Sequence, residues 1–144
     1  MPETSSPAPS SEATKPDFWD RVGISLSGIC VVHCLLLPVA LAALPLWPVL
    51  EDAHAWLHPV FAVLLLPTTL IAMAHGYRKH RRNDVAGLLG AGLVLILGAG
   101  FLGHAMPGAF TETALTVLGS TLLITGHWRN WRTNAACRLP APAA

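Results

Sequence analysis

Residues 22–50 read VGISLSGICVVHCLLLPVALAALPLWPVL and contain no Asp, Glu, Lys or Arg. An α-helix needs about 20 apolar residues to cross the hydrocarbon core of a bilayer. Three more uncharged stretches follow, at residues 53–77, 85–111 and 113–128. We therefore predict an all-α integral membrane protein, built as a bundle of four transmembrane helices.

The composition agrees with a membrane protein. Hydrophobic residues make up 53% of the 144 residues and charged residues 12%, about half the ~25% that is usual in soluble domains. A soluble domain of this size has too little interior to bury so much apolar surface. The net charge of +1 excludes a strongly basic nucleic-acid-binding protein, and three cysteines are too few for a disulfide framework.

The predicted transmembrane domain, residues 17–133, has a tail on each side. Residues 1–16 are rich in Pro and Ser and are predicted to be disordered, without the features of a secretory signal. Residues 134–144 form a second, short tail. The predicted helices cover about 22–46, 57–76, 85–106 and 110–128.

Basic residues indicate the orientation of the helices. They cluster in residues 77–84 and again after the fourth helix. The charged residues of the two other loops are all acidic, namely Glu51, Asp52 and Glu112. Positively charged loops stay in the cytoplasm, so both termini are predicted to be cytoplasmic. We expect a multi-pass protein of the bacterial inner (cytoplasmic) membrane, in contact with lipid.

Small residues on the third helix fit close helix packing. Packing within one bundle accounts for them. A pair such as Ala99 and Gly103 is also suited to contact a second copy, so a homo-oligomer stays open.

The first helix carries the most informative motif, Gly-Ile-Cys-Val-Val-His-Cys-Leu-Leu-Leu-Pro at residues 28–38. Cys30 and Cys34 are four residues apart, which puts both thiols on one helix face. Ionisable groups at this depth in a bilayer are functional candidates, and two thiolates prefer soft metal ions. His33 can lean toward the same site.

Pro38 adds to this motif. It has no backbone N–H for the carbonyl of Cys34, so we expect a kink beside the cysteines, where an ion can enter and leave. The alternative is that both cysteines are small buried apolar residues.

The run from Asp20 to Leu46, centred on this motif, resembles the MerC family of inner-membrane mercuric-ion transport proteins. The resemblance covers about residues 17–133. It implies that Cys30 and Cys34 take up Hg(II) and pass it inward. In the family, cytoplasmic cysteines near the C-terminus can form a second site.

The second cysteine site is incomplete in this chain, because Cys137 stands alone. The chain has no phosphate-binding loop and no nucleotide-binding fingerprint. We therefore expect no enzyme and no permanently bound cofactor. The predicted function is transport of Hg(II), or another soft metal ion, by thiolate exchange to cytoplasmic thiols or a mercuric reductase.

The remaining histidines are predicted at the two membrane faces. His54 and His58, with Glu51 and Asp52 adjacent and His104 on the same face, form an outer group that either collects a divalent cation or makes interfacial hydrogen bonds. The inner histidines are expected to be solvated surface groups: His75, His80 and His127.

Three other functions stay open. In a thiol–disulfide redox protein, Cys30 and Cys34 would cycle through a disulfide, but the second pair that such proteins need is incomplete. In a membrane haem protein, two histidines from neighbouring helices would hold the iron, either His58 with His104 or His75 with His127. In a structural membrane subunit, the cysteines would be replaceable without effect.

Overall fold

The computed structural model describes residues 15–43, 47–102, 105 and 109–137, and side chains within 17–36, 39, 56–102, 105 and 110–137. These described residues form four α-helices and no strand, which confirms the predicted all-α fold. The helices are α1 (Lys15–Ala43), α2 (Trp47–His80), α3 (Asn83–Leu102) and α4 (Ala109–Ala136).

Three of these helices contain segments long and apolar enough to cross a membrane, Asp17–Leu36, Trp56–His80 and Asn83–Leu102. The remaining helix, α4, is more polar because several threonines interrupt it. The hydroxyls of Thr116 and Thr125 donate to carbonyls one turn earlier, at 2.9 and 2.8 Å. Hydroxyls that hydrogen-bond inside their own helix suit a nonpolar surrounding. That α4 also crosses the membrane stays a prediction.

The outer surface of the bundle is apolar. Large hydrophobic side chains with about half or more of their surface exposed occur on all four helices. Soluble monomers rarely expose contiguous apolar area of this kind, so this surface is suited to lipid. Examples are Ile29, Val32, Leu36, Val63, Val94, Phe101 and Leu118.

The helices pack around two different interiors. Helices α2 and α4 each contact all the others, whereas α1 and α3 do not touch in the described part of the chain. The apolar core lies between α2, α3 and α4. It consists of Ala62, Leu65, Val85, Leu89, Leu93, Ile96 and Leu123.

The contact between α3 and α4 depends on a pair of glycines. A Cβ on Gly92 would lie 2.9 Å from the carbonyl oxygen of Gly119, so only glycine allows the two backbones this close an approach. Not every glycine of α3 has such a role. Gly87, Gly90 and Gly98 face open space.

The second interior is polar and lies where α1 meets α4 and α2. The buried positions of α1 recur every three or four residues, the period of one helix face. They are Asp20, Gly23, Ser27, Cys30 and Cys34. Polar side chains of α4, including Ser120 and His127, are buried opposite them.

Charged side chains gather at the end of the bundle where α2 and α4 end, which we call the basic end. Asp84, at the start of α3, binds Arg82 at 2.8 Å and Arg129 at 2.9 Å. Arg21 lies over the ring of Trp131, 5.5 Å from its centroid. The starts of α1 and α3 therefore lie at the same end as the last turns of α2 and α4.

Each of the four described helices begins earlier than its predicted span. Helix α1 begins at Lys15 and continues past Pro38 to Ala43. The side chain of Pro38 is outside the described residues, so the predicted kink stays untested. Helix α2 begins at Trp47, earlier than the predicted residue 57, and contains two prolines, Pro59 and Pro67.

Candidate metal site

Cys30 and Cys34 lie inside the bundle. Each is 2% exposed, and both are free thiols. They share the buried face of α1, as their spacing predicts, and they lie close to each other. The structure therefore holds two sulfur ligands together in a water-poor interior.

His58 of α2 contacts the cysteine pair directly. Its Nε2 lies 3.5 Å from Sγ of Cys34, and the residue is 5% exposed. We expected His58 at the outer surface, and this placement is wrong. Because α2 begins at Trp47, His58 stands several turns inside the helix and faces the bundle interior.

Glu112 of α4 completes a series across three helices. Its Oε1 accepts a hydrogen bond from Nδ1 of His58 at 2.5 Å, and its side chain is 19% exposed. Since a carboxylate only accepts, Nδ1 carries the proton, and Nε2 of a neutral His58 is the atom that accepts from the Cys34 thiol. We call Cys30, Cys34, His58 and Glu112 the cysteine site.

Sequence reasoning missed the part that Glu112 plays. From the sequence, Glu112 is predicted only as an acidic residue of the loop before the fourth helix. Its spacing from His58 along the chain carries no signal, because the two residues are on different helices. Only the packing of α4 against α2 brings them together.

His33 lies at the edge of the site. Its ring centroid is 6.4 Å from that of His58 and 6.5 Å from that of Phe61. The ring is partly buried and packs against these two side chains. His33 therefore faces His58, the neighbour of the cysteine pair.

Two buried hydroxyls lie on the other side of the cysteine pair. Ser120 of α4 approaches the thiol of Cys30, but its Oγ has no hydrogen bond of regular geometry. Ser27 precedes Cys30 by about one turn on the same face of α1, and its Oγ is also without a partner. Polar atoms therefore continue from Cys30 toward the basic end.

A family model described as MerC mercury resistance protein matches residues 20–132. The chain belongs to this family. The match starts at buried Asp20 and ends near the last turns of α4, so it includes the whole cysteine site. No curated protein and no solved structure matches the chain in the corresponding comparisons. The family and the apolar helices together establish a mercury resistance protein of the multi-pass membrane type.

The structure does not bring every candidate ligand of this MerC protein to the cysteines. Cys137 is exposed in the turn after α4, away from buried Cys30. The side chains of His54, Glu51 and Asp52, and all of His104, lie outside the described residues. Among the residues that are described, no group of three or more His, Cys, Asp and Glu side chains is arranged to hold a metal ion.

Of the three inner histidines, His75 is exposed as expected, whereas His80 and His127 are more buried than expected. His75 is exposed and bonds to a carbonyl of its own helix, that of Ile71, at 3.1 Å. His127, expected at the surface, is completely buried. His80 hydrogen-bonds to Asn130 of α4 at 2.9 Å. The physical reason is that partners on α1 and α2 satisfy the polar atoms of His127, which removes the cost of its burial.

Proposed function

We propose that this MerC protein carries Hg(II) across the bacterial inner membrane into the cytoplasm, with Cys30 and Cys34 as its ligands. The observation that carries the proposal is the pair of buried free thiols on one face of α1. Thiolates are soft ligands and favour soft ions. Metal binding displaces the thiol protons, because the thiolate is the ligand.

The order of ligands follows from their neighbours. Cys34 contacts His58 and, through it, Glu112, which is partly exposed at the end opposite the basic end. Cys30 approaches Ser120, nearer the basic end. With the basic end in the cytoplasm, as the positive-inside rule predicts, the ion meets Cys34 first and leaves from Cys30.

Transfer proceeds by ligand exchange. An incoming thiolate forms a new bond to the ion as one cysteine–metal bond breaks, and the freed sulfur takes up a proton. Cytoplasmic thiols, Cys137 or a mercuric reductase serve as the next ligand. His58 is placed to hand an ion to Cys34, which gives the outer-group histidine a role inside the bundle rather than at its surface.

Uptake of labelled Hg²⁺ by cells without a reductase tests the proposal. Cys30→Ser and Cys34→Ser should each abolish uptake, because one sulfur does not replace the pair. Ser27→Ala is a matched control, since it changes a buried side chain on the same face and leaves both thiols. Zn²⁺ and Cu⁺ serve as competitors. Wild-type uptake and Hg²⁺ binding in both cysteine variants would overturn transport and favour a structural subunit.

A further inference from the structure

A second group of buried polar side chains lies between the cysteine site and the basic end. Asp20 of α1, Thr69 of α2 and His127 of α4 are each 0% exposed, and Asn130 of α4 is 1% exposed. We call these four residues the polar cluster. Two ionisable groups enclosed in a membrane domain are expected to have a function.

The carboxylate of Asp20 is held from two sides. Its Oδ1 accepts a hydrogen bond from Nδ1 of His127 at 2.9 Å. Nδ2 of Asn130 donates to Oδ1 at 3.0 Å and to Oδ2 at 2.9 Å. The hydrogen bonds from the Asn130 side-chain amide stabilise the charged carboxylate. Because a carboxylate only accepts, the proton of His127 lies on Nδ1.

The other ring nitrogen of His127 faces a partner that suits two protonation states. Its Nε2 lies 3.4 Å from Oγ1 of Thr69. A hydroxyl both donates and accepts, so Thr69 donates to neutral Nε2 and accepts from protonated Nε2–H. The imidazole can therefore gain or lose a proton without a change in the position of its ring.

The polar cluster also reaches the surface. Nε2–H of His80 donates to Oδ1 of Asn130 at 2.9 Å, and the backbone N–H of Arg82 donates to Nδ1 of His80 at 3.2 Å. A cleft at the basic end is lined by Tyr77, His80, Arg82 and Asn130. One side chain, Asn130, separates Asp20 from this cleft.

The other charged or titratable groups around the cluster have partners of their own. On α2, Lys79 donates to the carbonyl oxygen of Asn134 at 3.0 Å. On α3, Asp84 binds Arg82 and Arg129 in the exposed part of the basic end. On α1, Arg21 covers the ring of Trp131. His80 on α2 reaches the cluster only through Asn130.

We propose that Asp20 and His127 form a site inside the membrane domain, near the basic end, that binds and releases one proton. With the proton bound, the pair is a carboxylate beside an imidazolium. After release, it is a carboxylate beside a neutral imidazole, stabilised by the amide of Asn130. The proton that is gained or lost is the one on Nε2 of His127, which faces Oγ1 of Thr69.

This site goes beyond metal transport, because its ligand is a proton and it holds with or without an ion at the cysteines. It is nevertheless joined to the cysteine site through two helices. The His127 ring packs over Gly23, seven residues before Cys30, which is ~10 Å along the helix at about 1.5 Å per residue.

The test is an NMR titration of the whole chain in lipid nanodiscs, with ¹⁵N in the histidine rings. The His127 signal is assigned by its proximity to the Cα protons of Gly23. Between about pH 5 and 8, where histidine charge generally changes, Nε2 of His127 should pass from protonated to unprotonated. A signal that does not change across this range would overturn the proposal.

Two variants, Thr69→Val and Asp20→Asn, test whether these residues set the midpoint of the titration. Thr69→Val should lower the midpoint by about 0.5–1 pH unit, because a hydrogen bond to the charged ring is roughly twice as strong as one to the neutral ring. Thr68→Val is the matched control, since its hydroxyl bonds to Leu65 O of its own helix at 2.9 Å, and it should leave the midpoint unchanged.

Asp20→Asn should lower the midpoint by about 1–3 pH units, because the opposite charge is lost. If this variant does not fold, the wild-type titration and the Thr69→Val shift decide the question. A midpoint that neither variant moves contradicts a site built by these residues. Because the titration uses protein without metal, its outcome is separate from that of Hg²⁺ uptake.

Discussion

Replacing His58 by leucine is expected to destabilise the bundle by about 2 kcal/mol. The change removes the hydrogen bond from Nδ1 to Glu112 at 2.5 Å and the contact of Nε2 with Cys34 at 3.5 Å. A hydrogen bond to a charged group contributes about 1.5–3 kcal/mol. Because Glu112 is 19% exposed, water replaces part of this bond, which favours the lower half of the range.

The measurement is the free energy of unfolding in mixed micelles, followed by circular dichroism. His75→Leu is the matched control, because it changes the same residue type on the same helix. His75 is exposed and bonds only to a carbonyl of its own helix in the described contacts. Exposed substitutions of this kind usually stay within ±0.5 kcal/mol.

Equal stability of His58→Leu and the wild type would refute the reasoning. It would mean that the series from Cys34 through His58 to Glu112 is not formed in the membrane. A loss equal to that of His75→Leu would lead to the same conclusion. The contribution of the cysteine site to the fold would then come from packing alone.

Three further outcomes are expected. Gly23→Ala should destabilise by about 1–3 kcal/mol, because a Cβ there would overlap the imidazole ring packed over it, whereas Gly28→Ala, with nothing within 4 Å, should be neutral or stabilising in the same unfolding assay. In cells that lack a mercuric reductase, Cys137→Ser should reduce the sensitivity to Hg²⁺ that the protein causes without abolishing it, since cellular thiols can replace an exposed thiol. Reporter fusions at residues 80 and 52 should lie in opposite compartments, and the same compartment for both would contradict the four-helix topology.

The helical fold could be predicted because charge is a local property of the sequence. Uncharged stretches of sufficient length are read directly from the chain, and membrane helices satisfy their own backbone hydrogen bonds. The shared face of Cys30 and Cys34 was predictable for a similar reason, since it follows from the helical repeat alone. Both inferences need no knowledge of which helices touch.

The partners of the cysteines could not be predicted in the same way. The depth of His58 depends on where α2 begins, and its hydrogen bond to Glu112 depends on the packing of α4. His127 is predicted at the surface from the sequence, because one buried ionisable group is costly, and the sequence pattern gives no sign that Asp20 is buried beside it. Burial becomes favourable only when the two residues satisfy each other, and they are far apart in the chain.

The hydrogen bond between Asp20 and His127 also limits how this protein can move. A slip of α1 past α4 by one turn, about 5.4 Å, would leave both groups buried without their partners. The two helices are therefore fixed in register near the basic end, much as a single buried polar pair fixes the register of a coiled coil. We expect that the cargo advances from one ligand to the next through a stationary frame, and that helices α1 and α4 do not slide to carry it.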